Sequence, residues 1–196
     1  DTIYHEHFSY LSLITVSKIF SKYGLRIYDV EQLTTHGGSL RVFGCHEESK
    51  ILQTASVDRV LKDEMDAGLT NISTYSQFQN RANNVKDDIL DFLIQQKREG
   101  KTIAAYGAAA KGNTLLNYAG VKKDLLPFVC DAAESKQNKY LPGSHIPILH
   151  PDELDKFKPD FVLILPWNIA EEIKNLLSFR LPNCKFVTAV PKLNIE

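Results

Sequence analysis

Tyr4, His5, Glu6 and His7 stand in unbroken succession near the start of the chain, the densest set of proton-transfer groups in it. In an extended segment His5 and His7 share one face and Tyr4 and Glu6 the other. A histidine titrates near neutrality, a neighbouring carboxylate raises its basicity, and a tyrosine can donate to a developing oxyanion, so the set suits acid–base catalysis. His-x-His is also a metal pair. A catalytic zinc, however, needs a third protein ligand, and nothing in the spacing singles out His36 or His46 for that role. The plainer alternative is a run of surface histidines at a domain edge.

A second stretch has the makings of an anion seat. The apolar run Thr102–Tyr106 stops at Gly107, three alanines follow, and Lys111, Gly112 and Asn113 lead into a helical pattern. A strand that turns at once into a helix leaves backbone N–H groups open at the helix N-terminus, where the dipole favours phosphate. Small residues at Ala108 and Ala109 let a ligand come close, and Lys111 adds a positive charge. The spacing fits neither G-x-G-x-x-G nor the P-loop, whose lysine follows its glycine. The competing reading is that the alanines pack the helix against the sheet.

Other candidates are weaker. Asp131 ends a strand about 20 residues past the glycine turn, where a dinucleotide fold carries a ribose-binding carboxylate, although such an acid is often a cap. Pro166, Trp167 and Asn168 fall at the carboxyl end of a further strand, where open α/β sheets bind ligands. Trp167 could stack a ring or cover the core, and Asn168 could cap the next helix. His36-Gly37-Gly38-Ser39 with Arg41 either admits a ligand or makes a turn before a solvated strand.

These residues need elements to hold them. Apolar positions from Leu11 to Phe20 predict a helix capped by Ser9 or Ser12 and ended by Gly24. Alternation over 26–30 and 39–44 about a glycine turn predicts an antiparallel pair. A short helix over 55–67 precedes a long one over 72–98, whose stripe from Ile72 through Phe78 to Leu93 reads as packing. Beyond Gly100 the rhythm becomes strand, helix, strand. Strands are expected at 102–106, 126–130, 146–149, 161–165 and 185–190, and helices at 113–119, 151–156 and 168–178. That alternation predicts an α/β fold, a doubly wound parallel sheet preceded by a helical and β-hairpin subdomain. The expected division is an appendage over 1–71 and a connecting helix plus sheet domain over 72–196.

Composition bounds the partners. A net charge of −1 with 43% hydrophobic and 24% charged residues describes an ordinary globular protein and gives no electrostatic case for nucleic acid or a membrane surface. The three cysteines form no CxxC pair and read as buried, reduced thiols in a cytoplasmic setting. The chain begins with Asp1 rather than Met, which suggests a segment of something longer.

Five stretches in order, IYHEHFSYLSL, HGGSLRVF, AAYGAAAKGNTLLNY, KYLPGSHIPIL and VLILPWN, resemble the C-terminal half of the S-adenosylmethionine-dependent C-methyltransferases that act on nucleotide-linked deoxysugars. The resemblance covers nearly the whole chain. It implies a Rossmann-like domain that holds a nucleotide-diphosphate deoxysugar rather than a dinucleotide, with His7 as the base and Tyr4 and Glu6 beside it. The GAAAKGN turn and LPWN would face the nucleotide. S-adenosylmethionine and zinc would belong to N-terminal domains outside this chain, since it has neither a D/E-x-G-x-G loop nor a zinc-type cysteine cluster. The fragment alone would then be inactive. Two competitors remain at this stage: an NAD(P)-dependent oxidoreductase domain and a non-catalytic nucleotide-binding module.

Overall fold

A computed structural model describes residues 9–35 and 38–196 and divides the chain into two compact units, Asp1–Gln79 and Asn80–Glu196. Tyr4, His5, Glu6, His7 and His36 therefore lie outside the described residues.

In the first unit helix α1 (Leu13–Lys22) is followed by strands β1 (Leu25–Leu33) and β2 (Ser39–His46), an antiparallel hairpin, and by helix α2 (Ala55–Asp66). Ser12 caps α1 as its side chain accepts from Thr15 N, and Gly24 turns the chain into β1 at φ +67°. The end of α1 is also held from a distance. The Glu64 carboxylate on α2 accepts from Leu13 N at 2.6 Å and Ile14 N at 2.8 Å, placing a negative charge where the helix dipole favours it. Leu13, Ile27, Val30, Val57 and Val60 form the small core beneath.

The predicted single helix over 72–98 is two. Helix α3 (Ile72–Ser76) ends at Gln77 and α4 (Phe78–Arg98) starts anew. Ser76 Oγ donates to Ser73 O, so a side chain competes for the carbonyl of the last turn. The apolar stripe does not hold it together either. Ile72 is 86%, Tyr75 54% and Phe78 65% exposed, whereas Ile89, Phe92 and Leu93 are buried. Only the second half of the predicted stripe is a packing face.

The second unit is a seven-stranded sheet. Its strands are β3 (Ile103–Tyr106), β4 (Val129–Cys130), β5 (Lys139–Tyr140), β6 (Pro147–Leu149), β7 (Phe161–Ile164), β8 (Lys185–Thr188) and β9 (Asn194–Ile195). The order is β5-β6-β4-β3-β7-β8-β9, with the inner pairs parallel and the outermost strand on each edge antiparallel. Helices α5 (Ala110–Tyr118), α6 (Asp152–Phe157) and α7 (Ala170–Leu177) connect the parallel strands.

Alternation in β3 shows why both faces are covered. Ile103 and Ala105 pack with Phe92, Leu93 and Leu116 of α4 and α5, while Ala104 and Tyr106 pack with Leu154, Ile173 and Leu177 of α6 and α7. This is the doubly wound, Rossmann-like arrangement expected from the sequence. Strand β4 is shorter than the predicted 126–130 because Pro127 has no N–H to give the ladder.

At the amino end of β3 and β7, Asp160 accepts from Thr102 N at 2.8 Å, Thr102 Oγ1 at 2.9 Å and Lys101 Nζ at 3.1 Å. The Thr102 backbone and hydroxyl bonds, then Lys101, hold the Asp160 carboxyl below its ordinary range. The lowered value means the stabilisation is present above about pH 4 and is lost as acid protonates the folded form. Asp160→Asn should therefore show a smaller drop in melting temperature than wild type between about pH 6 and pH 3. Equal drops in the two proteins, measured by calorimetry, would contradict this.

Candidate functional site

The chain leaves β3 toward β4 on one side and later returns to β7 on the other, so the strand order reverses between β3 and β7. Open α/β sheets bind ligands in the crevice above such a reversal. Here that end of the sheet carries the Gly107 turn and Pro166–Trp167, which touch each other.

The turn is built by backbone bonds and contact with β7. Gly107 N donates to Cys130 O at 2.7 Å, Leu165 N to Tyr106 O at 3.0 Å, and Ala109 N to Gly107 O at 2.8 Å. Gly107 has φ +86°, and a Cβ there would meet Pro166 Cδ at 2.5 Å. Helix α5 starts at Ala110, three residues earlier than predicted, so Lys111, Gly112 and Asn113 lie in its first turn. Gly112 explains the shift. A Cβ there would come within 2.5 Å of Leu165 Cβ, so the missing side chain lets the helix press on the end of β7. Part of the small-residue pattern is thus packing, carried by Gly112 rather than by the alanines.

The rest of the turn carries one positive charge, that of Lys111, while Ala108 N and Ala109 N are already engaged within the chain. Ala109, the residue at the N-cap, supplies no side-chain cap to α5. Lys111 Nζ lies 4.8 Å from the centre of the half-buried Trp167 ring, a cation–π contact, and burial pulls its pKa down. Asn113 Oδ1 is buried and finds no donor among the described residues. An orphaned acceptor needs an N–H or O–H from a ligand or a water. Tyr106, buried under the turn, has its pKa raised by burial and then by the charge of Asp131.

Asp131 is 7% exposed and turns back on its own chain. Oδ2 accepts from Ala108 N at 2.7 Å and Lys136 Nζ at 3.1 Å, and Oδ1 accepts from Ala133 N at 2.8 Å. The Ala133 contact is a recognisable Asx turn, whereas Lys136, an ion-pair partner five residues along a loop, was missed from the sequence because it carries no local signal. Asn168 does not cap the next helix. It sits in the 3-10 turn Trp167–Ile169, and Ile169 occupies the cap position of α7 without a side-chain bond.

The structure thus brings Tyr106, Gly107, Ala108, Ala109, Lys111, Gly112, Asn113, Asp131, Pro166 and Trp167 to one end of the sheet, with Asn168 adjoining. Ser39 belongs to the first unit. It donates to Thr35 O at 3.1 Å and lines a cleft of about 910 Å³ walled by Leu11, Leu13, Val16, Leu33 and Leu40.

Among the described residues no group of three or more His, Cys, Asp or Glu side chains could hold a metal ion. The first turn after β3 carries Lys111 and no acidic glycine loop. The expectation of buried thiols holds for Cys130 alone, with burial raising it to about 12. Cys45 and Cys184 are half-buried, and all three are unbridged. No helix of the described residues is long and apolar enough to cross a membrane.

A mostly parallel sheet with helices on both faces and its strand order reversing beside β3 defines a Rossmann-like α/β domain. The chain belongs to the C-methyltransferase C-terminal domain family, whose pattern it matches over residues 34–191. It is 37% identical over 193 residues to the C-methyltransferase NovU of Streptomyces niveus, an alignment covering 98% of this chain and 46% of that protein. The chain therefore spans about half the length of the curated relative it matches.

Proposed function

We propose that this chain is the substrate-binding and catalytic-base region of an S-adenosylmethionine-dependent enzyme that methylates carbon next to the ketone of a nucleotide-linked 4-keto-deoxysugar. The observation that carries the reading is the first turn of α5. It opens without a side-chain cap at the reversal point of the sheet, with Lys111 in it and Trp167 beside it. Family membership supports the methyl-transfer chemistry. The methyl donor and the zinc belong, on this reading, to parts of the protein outside this chain.

Carbon methylation needs a carbon nucleophile. Removing the C3 proton beside the C4 ketone leaves an enolate, and His7 is the group suited to take that proton. Tyr4 donates to the enolate oxygen, and Glu6 tunes or orients the base. The nucleotide diphosphate lies at the Gly107 turn, near Lys111 and Asn113, with Trp167 at its edge.

Equilibrium titration of the full protein tests the reading. A thymidine diphosphate sugar should bind and NADH should not, and Lys111→Met should weaken the sugar nucleotide about tenfold or more, the worth of one charged contact. Preferential NADH binding would favour an oxidoreductase. No effect of the lysine change would remove the diphosphate from this turn.

A further inference from the structure

The acid ending β4 stands where a dinucleotide fold places its ribose ligand, yet each of its polar atoms is already held by its own chain. Besides the three carboxylate contacts, Asp131 N donates to Leu149 O at 3.1 Å and Asp131 O accepts from Gln137 Nε2 at 3.0 Å. The decisive contact is with Ala108 N, the first N–H after Gly107. A buried carboxylate pinning that N–H fixes the peptide plane between the positive-φ glycine and the start of α5. Lys136 neutralises the carboxylate from the outer side, so the turn need not face an unbalanced negative charge.

We infer that Asp131 is a positioning residue that presets the Gly107 turn, with Lys136 as its counter-ion, and is not a ligand of the ribose. The inference rests on the reading that this turn receives the diphosphate. Its consequence has an unusual sign. By simple electrostatics, removing a negative charge beside an anion site tightens anion binding. If Asp131 sets the turn, removing it weakens binding, because the donors are no longer preorganised.

The test uses the full protein and Asp131→Ala, titrated with inorganic pyrophosphate, thymidine diphosphate and 3′-deoxythymidine diphosphate. Amide hydrogen exchange is followed at Ala108. All three ligands should weaken by a common factor of about tenfold, an order of magnitude typical of one lost charged contact. Ala108 should exchange faster while Leu116, deep in α5, is unchanged. The inference is overturned if pyrophosphate binds equally well or tighter, if the loss is confined to the ligand bearing the 3′-hydroxyl, or if Ala108 exchange does not move. Should Asp131→Ala fail to fold, Asp131→Val, which fills the space without an acceptor, is judged by the same readouts. Should wild type bind none of the three ligands, the proposed function fails. The exchange rate at Ala108 then decides by itself whether Asp131 sets the turn.

Discussion

His7→Ala in the full protein is expected to lower kcat for methyl transfer by about 10²–10⁴-fold, the usual contribution of a well-placed general base. Affinity for the nucleotide sugar should stay within about twofold of wild type, because nucleotide recognition is assigned to a different stretch of chain around Lys111. The split matters more than the size. A base acts on the proton in the transition state, so its loss falls on kcat rather than on ground-state binding. Solvent exchange of the C3 proton, followed by NMR in the absence of a methyl donor, isolates the same step. Wild type should wash deuterium into C3 and the variant should not. Exchange at an undiminished rate in His7→Ala would assign the base elsewhere, with His5 and Glu6 the next groups to replace. Tyr4→Phe offers a graded comparison. Loss of one hydrogen-bond donor to a developing oxyanion costs about 10²–10³ in kcat in well-studied cases.

Elements whose signal is local were legible in the sequence. The runs at 103–106 and 161–164 are apolar without a break because both faces of a parallel sheet are covered, which is itself the pattern that announces such strands. Ser12 and Gly24 mark the ends of α1 through capping chemistry confined to a few residues. What failed depended on distant partners. Ile72, Tyr75 and Phe78 continue a helical stripe into a region where they stay exposed, since periodicity records which side chains align but not whether a core meets them. Glycine at 112 argued against helix by propensity, and only the proximity of Leu165 reverses that argument. Asp131 has the spacing of a ribose ligand and the geometry of a brace, and the spacing is identical for both. Of the candidate residues, Gly107, Asp131 and Trp167 are gathered by the fold at one end of the sheet whereas Ser39 falls in the other unit, and Lys136, an ion-pair partner of Asp131, carries no local signal.

Gly107→Ala should be the most damaging small substitution in the sheet domain, destabilising it by about 2–6 kcal/mol. Two independent costs meet there. A left-handed backbone at φ +86° is unfavourable for any residue with a Cβ, and the new carbon would lie 2.5 Å from Pro166 Cδ and 2.7 Å from Cγ. The first is worth about 1–3 kcal/mol, and crowding a packed site adds about 1–3 more. The proline ring cannot swing aside as a flexible side chain would. Gly120→Ala is the natural control, because Gly120 also has positive φ, +69°, but has nothing within 4 Å of its would-be Cβ. Chemical denaturation of the two variants should therefore separate backbone strain from collision. Adding Pro166→Ala to Gly107→Ala should return part of the loss, and the double-mutant cycle gives the size of that part. A Gly107→Ala protein as stable as Gly120→Ala would show that Pro166 does not press on the turn.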